Sequence, residues 1–416
     1  VTADELRELT ELLEKLAADP SPMFDLDEDE RVRLLNAAGD VYNPDLDARR
    51  QYYRNRKRAE KKAKITRDEA VKAEAGIRQL RAKPVFTTPN VFPPALDAPD
   101  HSAPTLGEAH HCYVCKQDYE QLHHFYDQLC PSCAELNYRK RTETADLSGR
   151  VALLTGGRVK IGYQAGIKLL RAGASLIVST RFPRDAAKRY AAESDYGDWA
   201  HRLEIYGLDL RYTPDVEVFC AHLLETQPRL DFIINNACQT VRRPPEFYRH
   251  MLEGEHALAR ELDAASELMA LVPVDEHDNA HLFPEGVLDQ DLQQVDLRGR
   301  NSWRLTMAEV SSVELLETQL VNAVAPFVLN ARLKPLMLRT PERDKHIVNV
   351  SAVEGQFYRR WKTTKHPHTN MAKAALNMMT RTAATDYFGD GIHMNSVDTG
   401  WVTDEDPVHI AEAKRH

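Results

Sequence analysis

Residues 149–181 read GRVALLTGGRVKIGYQAGIKLLRAGASLIVSTR. An apolar strand, a glycine-bearing turn, an amphipathic helix and a second strand follow one another. This is the repeating unit of a parallel sheet wound with helices on both faces. A turn of this kind presents backbone N–H groups at a helix N-terminus, where the partial positive charge can hold a dinucleotide pyrophosphate. Glycine spacing alone is a weak signal. From Val151 onward, however, short β-branched runs keep alternating with helical stretches, so roughly the last 270 residues are expected to form one doubly wound α/β domain.

The whole chain has 416 residues, enough for two or three domains and a substantial core. It carries 54 Lys and Arg against 63 Asp and Glu, a net charge of −9, with 43% hydrophobic and 28% charged residues. This is ordinary globular composition. The sequence has no apolar run of roughly eighteen residues, and its start is acidic and amphipathic. A membrane span and a secretory signal are therefore not expected, and the expected location is the cytoplasm.

Upstream of the α/β pattern, Leu6, Leu9, Leu12, Leu13 and Leu16 recur at helical spacing, and a second short helix is expected near Glu30–Ala38. Arg49–Arg67 holds ten Lys or Arg against Glu60 alone, a local net of +9 that leaves −18 for the remainder. Free of Pro and Gly, it predicts a long charged helix running to about Leu80. Such a helix can neutralise nucleic-acid phosphates, with Tyr52 and Tyr53 available to stack on bases. The preferred reading is a solvated helix, or one that docks on the acidic body. Six prolines between Pro84 and Pro104 mark a linker over 84–107, which separates an N-terminal helical region, 1–83, from a cysteine-bearing segment.

Residues 112–133, CYVCKQDYEQLHHFYDQLCPSC, place Cys112, Cys115, Cys130 and Cys133 as two C-x2-C knuckles. Four thiolates so spaced can converge on a tetrahedral Zn²⁺. With every corner filled by sulfur, the metal would hold a small module, 108–145, together and leave no position for catalytic water. His111, His123 and His124 are close enough in sequence to replace a ligand, and four-thiolate iron is a weaker alternative.

Downstream, TGGRVKIG, LDL at Leu208–Leu210, DFIINNACQT, VNAVAPF, KHIVNVSAVEG and MAKAALNMMTRTAATDYFGDGIHMNSVDTGWVTD occur in order over about 250 residues. In this series the region 146–416 resembles the short-chain dehydrogenase/reductase family, which implies a Rossmann-like fold. The resemblance implies cofactor contacts from Thr155, Gly156, Arg158, Lys160, Ile161 and Gly162 in the turn, with Lys160 where the family has a glycine. It implies further contacts from Thr180 and Arg181, from Asp209 and Leu210, from Asn236 and Ala237, and from Lys373, Thr399, Gly400, Val402 and Thr403. At the end of the second strand an acid would bind the ribose of NAD. Here Arg181, with Arg184 and Lys188 nearby, can pair with a 2′-phosphate instead, so NADP is expected.

The catalytic pattern departs from that of the family. Asn322 and Lys373 match the family's helix asparagine and lysine, but Thr369 stands where its tyrosine would be, and an aliphatic hydroxyl is a far poorer acid than a phenol. Ala352 occupies the usual serine position. Ser351 lies one residue earlier, pointing to the other face of the strand unless a bulge intervenes. Tyr358, His366 and His368 are candidates for the missing proton donor. His366 precedes Lys373 by seven residues, the tyrosine-to-lysine separation of the related enoyl reductases.

An insertion over about 241–310 is expected at the substrate end of the sheet, where Arg242, Arg243 and Tyr248 can meet an anionic substrate or form a protein-interaction surface. The family also continues beyond the position of His416, so either the sequence is expected to be a fragment or its sheet is completed by something else. The resulting expectation is an NADP-dependent oxidoreductase acting on a small carbonyl, alcohol or activated double bond. Homo-oligomers are implied by the resemblance, through the helices bearing Asn322 and Lys373. The rival expectation is a catalytically quiet NADP-binding interaction protein coupled to the zinc module.

Overall fold

The computed structural model describes residues 1–42, 46–82, 104–243, 247, 248, 251, 252, 254, 255, 296–358, 362–400 and 407. Most of the expected proline linker, Val402, Thr403 and residues 256–295 of the expected insertion lie outside the described residues. The chain divides into two compact units, Val1–Ala82 with Leu96–Lys140, and Lys83–Ala95 with Arg141–His416.

In the first unit the leucine-striped segment is the helix Ala3–Ala18. It starts at a capping box, in which the Glu5 N–H donates to Thr2 Oγ1 and the Thr2 N–H donates to the Glu5 carboxylate. A second helix spans Glu28–Tyr42. The basic run lies on the helix Leu46–Ala73, which stops short of Leu80. The chain turns at Ala75, which is buried, and a separate helix, Gly76–Ala82, begins with the Gly76 and Ile77 N–H groups donating to the carbonyls of His124 and Phe125. Docking on the cysteine segment thus supplies partners that a continued helix would have had to provide itself. Strands β1 (Thr105–His111) and β2 (Asp118–Gln121) pair antiparallel, and the helix Pro131–Thr142 follows the second knuckle.

The second unit is built on β3 (Val151–Thr155), β4 (Ser175–Thr180), β5 (Leu203–Gly207), β6 (Phe232–Asn235), β7 (Lys345–Ser351) and β8 (Ile392–Asp398). All neighbours are parallel, in the order β5-β4-β3-β6-β7-β8. Every residue of β3 is buried, as expected for a strand covered by helices on both faces. The order reverses between β3 and β6, so the carboxyl ends of these two strands border the crevice where open α/β sheets bind ligands. No described helix is long and apolar enough to cross a membrane.

At the opposite, amino end of the sheet, Asp231 is fully buried. Its carboxylate accepts the Val151 N–H at 2.8 Å and bonds from Arg150 and Arg229 at 2.7–2.9 Å. Burial raises the pKa of this acid, but Arg229, the Val151 N–H and Arg150 outweigh it and leave a net lowering. A lowered folded pKa means that the associated stability is present above the unfolded value of about 3.9 and is lost as pH falls through the folded value. Asp231→Asn should therefore destabilise the domain by about 3 kcal/mol at neutral pH and flatten the acid limb of the stability curve, as read by urea denaturation between pH 7 and pH 2. An unchanged acid limb would show that Asp231 does not carry the linkage.

Candidate functional site

The turn after β3 meets the end of β6 through close contacts. Gly156 has φ +68°, and a Cβ added there would lie 2.9 Å from Ala237 Cα. At Gly162, in the first turn of the helix Lys160–Arg171, an added Cβ would lie 2.2 Å from the Gly156 carbonyl oxygen and 2.4 Å from Asn236 Nδ2. Asn236 donates from that nitrogen to the carbonyls of Thr155 and Gly156, at 3.1 and 3.2 Å. The Thr155 hydroxyl accepts the N–H groups of Asn236 and Ala237. Lys160 adopts φ +54°, in the left-handed region that favours glycine. The turn therefore keeps a glycine-like backbone at the position where the glycine is replaced.

The neighbouring sequence-predicted residues divide. Arg158 is buried and its guanidinium is 2.8 Å from Asp185, which Arg189 shares. The Thr180 hydroxyl accepts the Phe182 N–H, Leu210 is buried in the apolar core and Ile161 is exposed. Asp209 is bound by Arg211, and the pKa of this acid is lowered because Arg211 and Arg181 outweigh the effect of burial. Arg181 lies with its guanidinium carbon 4.5 Å from the centre of the Tyr248 ring. Thr399 is exposed and Gly400 has φ +79°.

The catalytic candidates are spread over two helices, the end of β7 and the loop that follows it. Asn322 sits in a π-helical turn, Leu320–Val324, which leads into the helix Ala325–Met337. Its amide accepts the Gln239 N–H at 2.8 Å and donates to the Gln239 carbonyl at 3.0 Å, which fastens the chain leaving β6. Lys373, on the helix Pro367–Gly389, is buried, and its Nζ donates to the Val350 carbonyl at 2.8 Å. The β7–β8 register runs without interruption from Lys345 to Ser351, so no bulge turns Ser351 to the other face. Its hydroxyl instead points at the Lys373 carbonyl, 3.4 Å away.

His366 caps the helix in the left-handed region and stacks on Trp303, with ring centroids 3.9 Å apart and planes 3° from parallel. Its Nδ1 is 3.1 Å from Asn370 Oδ1, and burial lowers the ring's pKa in spite of that contact. Thr369 is buried and its hydroxyl has no hydrogen-bond partner among the described residues. His368 points away, 3.4 Å from Glu314, whereas Tyr358 is 82% exposed.

Several partners lie outside the recognised motifs. Trp303 belongs to the expected insertion, and so does Arg242, which bonds Glu317 at 3.2 Å while Gln239 bonds the same carboxylate at 3.0 Å. Arg243 is paired with Asp296. The arginines expected to meet an anionic substrate are thus already paired within the protein. Beneath the site, Asn235 donates to both Asn330 and Asn349, Asn349 donates to Thr380, and Thr380 is 2.7 Å from Ser396. This buried amide seam crosses β6, β7 and β8, and polar residues inside apolar strands were its sequence signal.

A family model described as Enoyl-(Acyl carrier protein) reductase matches residues 300–415. The strand order and the Thr155–Asn236 turn are compatible with that match. Over that stretch the chain is similar to the short-chain dehydrogenase/reductase family. It is 33% identical to human retinol dehydrogenase 13 over 95 residues, 22% of this chain and 28% of that protein. It is 31% identical to the bovine dehydrogenase/reductase SDR family member 13 over 105 residues, 24% of this chain and 27% of that one.

The similarity to an uncharacterized protein of Acanthamoeba polyphaga mimivirus is longer, 32% identity over 308 residues, 70% of this chain and 63% of the viral protein. The chain thus spans less than two thirds of these curated relatives. A solved metagenomic short-chain oxidoreductase in complex with NADP aligns with a TM-score of 0.43 and 18% identity, covering 65% of this chain and 91% of that one.

In the first unit, the four predicted cysteine Sγ atoms all lie within 4.8 Å of one another. The Ser132 hydroxyl, 3.3 Å from Cys130 Sγ, helps to lower that thiol's pKa to about 6. His123 Nδ1 accepts the N–H groups of Phe125 and Tyr126, so this ring is used by the fold.

The contacts at Gly162 give a direct prediction. Gly162→Ala should lower stability by about 2 kcal/mol or more, because backbone on one side and an amide on the other leave the methyl no room. Thermal melting beside Gly254→Ala, a position with open space around it, checks the claim. Equal melting temperatures would refute it.

Proposed function

We propose that this protein is an NADP-dependent oxidoreductase of the short-chain dehydrogenase/reductase type, acting on a small carbonyl, alcohol or activated double bond. The observation that carries the reading is the buried Lys373 two helical turns after His366, beside the π-turn that holds Asn322. Residues four and seven apart share one helix face, so His366, Thr369, Asn370 and Lys373 form a polar column next to the end of β7.

The residues present fit a dinucleotide. Gly156 and Gly162 keep the turn open, the N-terminus of the helix Lys160–Arg171 suits a pyrophosphate, and Arg181 offers a guanidinium for a 2′-phosphate. When bound, the nicotinamide supplies or accepts a hydride. Lys373 would hold its ribose side, and Asn322 keeps the strand end in place.

His366 is the residue we assign to proton transfer. Its lowered pKa keeps the imidazole neutral near pH 7, able to accept a proton from an alcohol. Trp303 and Asn370 fix the ring. The exposure of Tyr358 and the Glu314 contact of His368 argue against the other two candidates.

His366→Ala should reduce turnover by about 10²–10⁴-fold while leaving NADPH binding intact, measured by nicotinamide absorbance and fluorescence against a carbonyl and enone panel. Equal turnover in the variant would remove His366 from the mechanism. Arg181→Ala should weaken NADPH about tenfold or more and leave NADH unchanged. Equal loss for both cofactors would mean that Arg181 does not read the 2′-phosphate.

For the first unit we propose a structural zinc at Cys112, Cys115, Cys130 and Cys133. Metal analysis should return about one zinc per chain in wild type and substantially less in Cys130→Ser. Exposed Phe327, Met371, Met378 and Phe388 on the two long helices support a homo-oligomer. The protein would act on its small-molecule substrate without requiring nucleic acid.

A further inference from the structure

The residues assigned to the adenosine end of the cofactor already have occupants from the chain itself. Tyr248 lies against the Arg181 guanidinium at 4.5 Å, with its ring centroid 5.6 Å from that of Phe182. Burial raises the pKa of its phenol, but Arg181, Arg243 and Arg211 reverse the effect and leave it below the ordinary value. Arg211 is also the partner of Asp209, the acid expected beside the adenine. An aromatic ring is thus held among the residues at the carboxyl ends of β4 and β5 where an adenine is expected.

A second contact lies one step along the chain. Glu255 is 2% exposed, and its carboxylate accepts the backbone N–H groups of Arg184 and Asp185, at 3.1 and 2.7 Å. These are early amides of the helix Pro183–Ala191, which follows directly from Arg181. Arg184 adds a bond to the Glu255 carbonyl at 3.0 Å, and its guanidinium is 3.8 Å from the Glu255 carboxylate. A buried anion therefore sits on a helix N-terminus beside an arginine, an arrangement that would equally receive a phosphate.

Resting on the proposed NADP reading, we propose that Tyr248 and Glu255 form an intramolecular mimic of the 2′-phosphoadenosine group, which the cofactor must displace to bind. Tyr248 stands for the base and Glu255 for the phosphate. The cofactor's apparent affinity is then its intrinsic affinity reduced by the fraction of molecules in which the subsite is free. A dianionic phosphate can replace the single carboxylate charge at the same amides, whereas NADH brings no such group. The insertion would in this way sharpen the preference for NADP.

The test uses the full chain and nicotinamide fluorescence, with adenosine 2′,5′-bisphosphate as a second probe, read by its displacement of NADPH, because it carries the phosphoadenosine without the nicotinamide. Glu255→Gln and Tyr248→Ala should each tighten NADPH and the bisphosphate by about tenfold. In wild type, amide hydrogen exchange of peptides covering Tyr248 and Glu255 should speed up on saturation with NADPH, a readout that does not depend on variants folding. Unchanged or weaker binding in both variants, or slower exchange with cofactor, would overturn the inference while leaving the oxidoreductase reading intact. Absence of NADPH binding in wild type and in both variants would remove that reading and the inference with it.

Discussion

The approach of the β3 turn to the end of β6 is the constraint on which the C-terminal domain depends. A methyl group at Gly162 would meet a carbonyl oxygen at 2.2 Å, and the Asn236 amide fills the same space from the other side. Only a backbone without Cβ lets the helix Lys160–Arg171 start so close to the sheet. The crevice between β3 and β6, the orientation of the helix N-terminus and the path of the chain toward Asn322 all depend on that contact. Thr155 makes it two-sided, since one hydroxyl holds two successive N–H groups of the neighbouring strand end.

Much of this was legible in the sequence because local pattern and tertiary role coincide there. The strand-turn-helix-strand unit at 149–181, the cysteine pairs and the matches at Asn236, Asn322 and Lys373 are short-range signals, and the expected parallel sheet is present. What escaped depends on contacts between distant segments. The break at Ala75 arises because the cysteine segment offers carbonyl acceptors to Gly76 and Ile77, which helix propensity cannot register. Trp303 stacks on His366 across more than sixty residues of sequence. Pairing of Arg242 and Arg243 with Glu317 and Asp296 depends on three-dimensional proximity that a charge count does not show.

Lys160 illustrates a separate point about reading a glycine position. A lysine stands where the resembled family has a glycine, yet the backbone holds φ +54° with the side chain attached. Left-handed backbone at a non-glycine residue costs on the order of 1 kcal/mol, a strain that the surrounding contacts can offset. The sequence records the missing glycine but not the neighbouring Thr155–Asn236 bonds that keep the turn's path fixed.

The asparagine seam beneath the site has a consequence for strand alignment. Shifting β7 by one residue would exchange its buried and more exposed faces, and for its apolar residues the cost is set by packing alone. Asn235, Asn330 and Asn349 raise that cost, because displacing β7 by one residue would strand several amide groups in a dry interior. Each amide adds little when paired and penalises heavily when not. The seam therefore acts as a key that admits a single alignment of β6, β7 and β8, and through it fixes how far along the sheet edge Lys373 and Asn236 stand from one another.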